Sequence, residues 1–265
     1  MSPARRVRRT RRILNCVPST DTERDWGIDT AVGAGVLAVP GVIPTSLDLR
    51  EPWWAIGDQG STGSCVGWAS ANSVIRWHFV KTGRLATDES LSTRFLWMAS
   101  KETDQFGSRP TTFIETEGTS LKSALDVARK FGTVRDSVLP FASGKLYGGT
   151  ANTFYALAAQ LKIGIYFNVG TELNNWRLWL AAHGPILTRL DVDSTWMNAG
   201  GTHGDLDVYL PATRRGGHAV AIVGYTPDRF VVRNSWGTTW GDRGFAYASP
   251  AYAQAAFTEA YGISV

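Results

Sequence analysis

Three side chains far apart in the chain could together cut an acyl bond: Cys65, His218 and Asn234. Cys65 stands in "QGSTGSCVGWASAN" (residues 59–72), where glycines and small hydroxyl residues lead into a stretch of helical texture. A thiol is a poor nucleophile until it loses its proton, and a helix N-terminus, a nearby imidazole and partial exposure all favour the thiolate. Cys65 falls where the glycine-rich turn enters the helix, at the positive end of the helix dipole. Gly60 and Gly63 allow a tight turn and a close approach of substrate to backbone. A lone cysteine is more often a buried, inert core residue, so the histidines decide between the two readings.

The chain has four histidines. His78 lies inside the same helical stretch and suits core packing. His183 sits at a helix end, where a cation complements the dipole. His203, in "GGTHGD", suits a solvated loop. His218 opens an apolar run, "HAVAIVGY", directly after "RRGG" (residues 214–217), so it would have a rigid base and an open approach. Asn234 follows sixteen residues later in "RNSWGTTWGDRGF". If residues 218–225 and 229–236 form a hairpin turning near Thr226 to Asp228, Asn234 returns to the side of His218. Its amide oxygen could then accept the imidazole N–H and fix the ring's tautomer and direction.

The elements that must hold these residues are readable from periodicity. "CVGWASANSVIRWHFV" (residues 65–80) is apolar nearly all round and free of proline, as expected of a central buried helix. Thr87 could cap a helix running to about Ser100, Thr119 one over Ser120 to Phe131 with Gly132 as its stop, and Thr171 one over Glu172 to His183 ended by Gly184. Residues 163–169, 186–192, 218–225, 229–236 and 244–249 read as strands. Helices first and strands later imply an α+β fold, with a basic extension over residues 1–45, a mainly helical lobe over 46–160 carrying Cys65, and a mainly β lobe over 161–265 carrying His218 and Asn234.

Composition sets limits. The length of 265 residues, with 43% hydrophobic and 19% charged, supports a real core. The net charge of +4 arises from Arg5, Arg6, Arg8, Arg9, Arg11 and Arg12, so the remainder is near neutral and carries no general signature of nucleic-acid binding. The basic tail could touch an anionic partner. No run of apolar residues is long enough to span a membrane. "TRRIL" (Thr10 to Leu14) has the paired arginines of a twin-arginine export signal, but Asp21, Glu23, Arg24 and Asp25 follow where such a signal needs an apolar run. The two cysteines lack the paired spacing of a zinc site, and no cofactor or metal is implied. Few cysteines and no clear signal peptide leave the compartment open, with the cytoplasm favoured.

"DQGSTGSC", "GGHAV" and "NSWGTTWGDRGF" resemble the three signature blocks of the papain-like cysteine peptidases, in that family's order. "PTSLDLR" (residues 44–50) resembles the start of the mature enzymes, "GTSLKSALDVARKFGTV" (118–134) their third helix, and "HGPILTRLDV" (183–192) their first barrel strands. The resemblance covers roughly residues 44–249. It implies a two-lobe fold in which a helical lobe packs on an antiparallel, barrel-like β lobe with the active cleft between. It implies an endopeptidase that works through a thioester, with peptide or protein substrates. Cys65 would be the nucleophile, His218 its base and acid, and Asn234 the orienter of His218. Gln59 and the Cys65 backbone N–H would hold the oxyanion. Gly63, Ser64 and Gly217 would line the site, Trp236 would shield the His218–Asn234 bond, and Trp240 would pack nearby.

There are departures. Thr62 stands where the family usually has cysteine and Val66 where it has an aromatic residue, for which Trp68 could compensate. The glycine-rich loop after the second helix is unrecognisable. These changes keep two alternatives in view: a papain-fold binding or scaffold protein with little turnover, and a transpeptidase or acyltransferase using the same thioester. Residues 1–45 are too short and wrongly patterned for a long helical propeptide, yet could cross the cleft and block it. Cys16 then poses the question of an inhibitory disulfide with Cys65. The C-terminal "AFTEAYGISV" could place Glu259 at a pocket floor, where it would favour basic substrate side chains.

Overall fold

A computed structural model describes residues 11–38, 41–103, 118–142 and 146–265. Arg5, Arg6, Arg8 and Arg9 of the basic tail lie outside the described residues. The fold is α+β. Among the described residues the eight strands are β1 (Leu47–Asp48), β2 (Ile165–Asn168), β3 (Ile186–Val192), β4 (Asp205–Leu206), β5 (Gly216–Tyr225), β6 (Phe230–Arg233), β7 (Phe245–Ala248) and β8 (Phe257–Ser264). They form one sheet in the order β2-β8-β3-β5-β6-β7-β4, with β1 also paired to β5. All pairings are antiparallel except β4 with β7. The sheet is open, so the barrel expected from the resemblance is not closed.

The sheet separates two apolar cores because successive side chains of a strand point to opposite faces. Along β5, Ala219, Ala221 and Val223 enter one core and Val220 and Ile222 the other. The first core packs against the helix over residues 65–81, through Val66, Ala69, Val74, Ile75 and Phe79, all essentially without exposure. Helices Thr93–Thr103 and Leu121–Lys130 close it from outside. The second core holds the helices Leu173–His183 and Pro250–Ala256 and most of the buried tryptophans.

The central helix spans the stretch expected but is not uniform. Cys65–Gly67 and Arg76–Lys81 are α-helical, and Trp68–Ile75 between them is wound as a π-helix. Such wide turns inside helices occur mainly at functional sites. The helix expected after Thr87 begins only at Thr93, since Leu91 first bridges to Arg135. Its cap is Ser92, whose hydroxyl accepts the Phe95 N–H at 3.0 Å. Helix Leu121–Lys130 is capped by Ser120, whose hydroxyl accepts the Ser123 N–H at 3.2 Å. The helix ending at His183 starts at Leu173 without a side-chain cap. Helices Ala151–Ala159 and Pro250–Ala256 and strand β8 were not expected from the sequence pattern.

Candidate active site

The helix over residues 65–81 presents Cys65 at its N-terminal end against β5, which carries His218. The hairpin joining β5 and β6 turns where the sequence places it, with the Thr226 N–H donating to the Arg229 carbonyl at 2.8 Å. Asn234 therefore lies beside His218. His218 Nε2 and Asn234 Oδ1 are 2.8 Å apart. The same Oδ1 accepts the Ser235 N–H at 2.8 Å, which marks it as the oxygen and makes Nε2 the donor. Nδ1 has no nitrogen or oxygen partner and is the ring atom left for the Cys65 sulfur, which is in hydrogen-bonding contact with His218.

Trp236 covers this pair, its ring centroid 4.9 Å from that of His218. Trp240 does pack in the same group, but its nearest ring is Trp196, at 4.5 Å, which also borders His218 at 5.8 Å. Gln59 is buried with its amide fixed at both ends: Oε1 accepts from the Ser235 hydroxyl at 2.9 Å and Nε2 donates to the Thr62 carbonyl at 3.1 Å. One Nε2 hydrogen remains uncommitted. Thr62 donates its hydroxyl to the Gln59 carbonyl at 2.7 Å and meets Ser64 Oγ at 2.6 Å, so hydroxyls stitch the turn through Gly63. Val66 is fully buried, while Trp68 turns toward Phe141 and lines a cavity of about 480 Å³ with Asp58 and Asp136. Among the described residues no cluster of acidic, histidine or cysteine side chains could hold a metal, and no helix is long and apolar enough to cross a membrane.

Arg233 was missed from sequence. It is almost wholly buried and ties β6 to the helix carrying Cys65 and to the segment before Gln59. Its guanidinium donates to the carbonyls of Trp54 at 3.1 Å and Ala55 at 2.7 Å, to Asn72 Oδ1 at 3.0 Å and to Ser73 Oγ at 3.2 Å. A buried arginine among apolar strands carries no sequence signal of this role.

The N-terminal segment fills the cleft. Arg12 donates to the Asp58 carboxylate and to the carbonyls of Gly60 and Trp236, each at 3.0 Å, with its guanidinium 5.5 Å from the centroid of the Trp236 ring. The anionic group this tail arginine meets is thus in its own chain. The Cys16 N–H donates to the Gly217 carbonyl at 3.0 Å, Arg189 Nε donates to the Cys16 carbonyl at 3.0 Å, and the Val17 N–H donates to the Thr119 carbonyl at 3.2 Å. A Cβ at Gly217 would lie 2.2 Å from the Cys16 carbonyl oxygen, and one at Gly118 would lie 1.8 Å from that of Asn15. Glycine is required on both walls by the passing chain. The Ser19 N–H donates to Glu259 Oε1 at 3.0 Å, so Glu259 does face this channel, beside Arg189 on β3. Beneath the segment, Cys65 and His218 have no exposed surface.

The two cysteines meet there as free thiols in hydrogen-bonding contact. That contact, with His218 and the Ala219 N–H, outweighs burial and holds Cys65 well below its ordinary value of 9.0. Burial, and Cys65 itself, push Cys16 well above it.

A helix-borne thiol, an imidazole on the facing strand and an amide behind it on an α+β frame define a thiol-protease class of site. The chain belongs to the papain family of cysteine proteases: the model described as "Papain family cysteine protease" matches residues 43–261. Vignain of Vigna mungo is 29% identical over 216 residues, covering 77% of this chain and 54% of that protein. A cathepsin L-like proteinase of Fasciola hepatica is 28% identical over 211 residues, covering 77% and 59%. The chain thus spans little more than half the length of these curated relatives. Among solved structures, Xylellain, a cysteine protease from Xylella fastidiosa, aligns with a TM-score of 0.78 at 20% identity, covering 97% of this chain and 98% of that one. Procathepsin L2 from Tenebrio molitor larval midgut aligns at 0.68 with 20% identity, covering 96% and 78%.

Proposed function

We propose that the protein is a cysteine endopeptidase that hydrolyses peptide bonds through a thioester on Cys65. The observation that carries this reading is the 2.8 Å hydrogen bond from His218 Nε2 to Asn234 Oδ1, which leaves Nδ1 for the sulfur. Cys65 gives its proton to His218 and attacks the substrate carbonyl carbon. The oxygen's developing charge is met by the Cys65 backbone N–H and the uncommitted Nε2 hydrogen of Gln59. His218 then protonates the leaving amine, which departs and leaves the thioester. Next His218 takes a proton from water, whose oxygen attacks the thioester, and the carboxylic acid leaves as Cys65 recovers its starting state. Asn234 holds the imidazole in one orientation throughout, and in one tautomer whenever it is neutral, and Trp236 keeps water from that hydrogen bond.

Peptide or protein substrates follow from the same reading, and so does a closed resting form in which residues 11–19 lie where substrate would. Glu259 would face substrate side chains once Ser19 leaves, with Arg189 beside it as a counter-charge. The test is Cys65→Ala in the full chain under reducing conditions. It should abolish peptide hydrolysis and alkylation at position 65 while the melting temperature persists. Hydrolysis at the wild-type rate in that variant would overturn the proposal.

A further inference from the structure

The chain's only two cysteines lie forty-nine positions apart in sequence, yet they come together in one buried core, with the Cys16 N–H bonded to the Gly217 carbonyl next to His218 and each thiol acting on the other. The contact is built. Cys16 is held by backbone hydrogen bonds on both sides, from its own N–H to Gly217 and from Arg189 to its carbonyl. Its neighbours Asn15 and Val17 are seated against Gly118 and Thr119. Arg12 upstream and Ser19 downstream, on Asp58 and Glu259, pin the segment at either side. Both thiols are buried in the same apolar core, with exposures of 2% and 0%. The groups facing the pair are His218, Arg189, Glu259 and the Ala219 N–H.

We propose that Cys16 is a redox latch: peroxide joins it to Cys65 as a disulfide that fastens the N-terminal segment across the cleft, and a dithiol releases it. The proposal rests on Cys65 being the reactive thiol of the preceding section. The Cys65 thiolate attacks one oxygen of hydrogen peroxide. The O–O bond breaks, hydroxide leaves and is protonated to water, and Cys65 becomes a sulfenic acid. The Cys16 sulfur then attacks the Cys65 sulfur, the S–S bond forms, and the S–O bond breaks. The second hydroxide takes the Cys16 proton, giving a second water. The two thiols lose two electrons in all, and peroxide gains them. A dithiol reverses the state by two thiol–disulfide exchanges, ending as its own cyclic disulfide.

The arrangement also protects. A sulfenic acid with no neighbouring thiol goes on to sulfinic acid, which thiols do not reduce. Cys16 is positioned to capture the sulfenic acid first. The latch and the noncovalent clasp therefore act in series: the clasp sets how often the cleft opens, and the disulfide stops it opening at all.

The full-length wild-type and Cys16→Ser proteins should be treated with hydrogen peroxide, alkylated, digested without reduction and mapped by mass spectrometry. Hydrolysis should be followed before treatment, after it, and after dithiothreitol. In the wild type, a peptide joining Cys16 to Cys65 should become the main oxidised product, and dithiothreitol should restore most of the lost activity. In Cys16→Ser, Cys65 should pass to sulfinic acid and recover less than about a tenth of its activity. Sulfinic acid at Cys65 in the wild type at the same rate as in the variant, with no joined peptide, overturns the latch. The joined peptide is read without any activity, so reduced protein that forms it but never hydrolyses peptides defeats the peptidase reading alone.

Discussion

Arg12→Ala should open the enzyme without touching its chemistry. The Arg12 guanidinium, only 13% exposed, meets three acceptors, whereas the Asp58 carboxylate it faces is 52% exposed. An exposed partner limits the ion pair to about 1 kcal/mol or less. The two charge-assisted bonds to the Gly60 and Trp236 carbonyls add about 1 kcal/mol each once competition from water is counted. A loss of about 2–3 kcal/mol raises the open fraction roughly 30- to 150-fold. The segment competes with substrate for the same groove, so the apparent KM of a fluorogenic peptide should fall by that factor while kcat stays near the wild-type value. Arg11→Ala, at the exposed neighbouring position, serves as the control and should change neither. Rising salt should lower the wild-type KM slightly and leave the variant's unmoved. Burial pushes the Asp58 carboxyl up, but the hydrogen bonds from Arg12 and the Gly60 N–H prevail and hold it below its usual 3.8. The sign is that of a depressed acid: the clasp is complete above that pH and is lost as pH falls through the lower, folded value. An unchanged KM in Arg12→Ala, or a kcat that falls with it, refutes the competition.

Two further outcomes are expected. Gln59→Ala should cut kcat about 10²- to 10³-fold with little change in KM, as removal of one oxyanion donor does; a variant retaining wild-type kcat removes Gln59 from the mechanism. His78 is buried against Trp77, and burial, with the charge of His183, pulls its pKa from 6.5 down to about 4. A base depressed in the folded state contributes stability fully above its unfolded value. That contribution fades as pH falls from about 6.5 to about 4, by roughly 3 kcal/mol. Urea unfolding of His78→Phe should therefore show a flatter decline between pH 7 and pH 4.5 than the wild type, and parallel curves would show that burial of His78 is not what destabilises the acid form.

The meeting of Cys65, His218 and Asn234 was legible because each carries a local signature that survives without the rest of the chain. Cys65 follows a glycine-rich turn and begins a helix, His218 opens an apolar strand, and Asn234 is brought back by a hairpin short enough to foresee. Strand β5, Gly216–Tyr225, includes the stretch 218–225 that its sequence suggests, because a central strand buried on both faces reads as a nearly continuous apolar run. Helix starts were harder. Thr87 reads as the cap from sequence, but Ser92 takes that place because the Leu91–Arg135 bridge, a contact between segments far apart in sequence, comes first. Strand β8 escaped because "FTEAYGIS" mixes a charge and a glycine, and its place between β2 and β3 is fixed by those partners alone.

The N-terminal segment marks the sharper limit. By composition residues 1–45 read as an extension that is basic, then acidic, then glycine-rich, and nothing in the pattern of residues 12–19 orders them. Their order is conferred by groups scattered through the remaining chain: Asp58, Thr119, Arg189, Gly217 and Glu259. Backbone hydrogen bonds of this kind ignore side-chain identity, so periodicity cannot reveal them. Two residues in the segment do have identity that matters: Arg12, held over Trp236 and on Asp58, and Cys16, buried in one core with Cys65. The stretch over residues 12–19 forms no helix of its own. It can still close the cleft because its few anchors are charge-assisted or buried, and because being in the same chain makes its effective concentration far higher than that of dilute substrate.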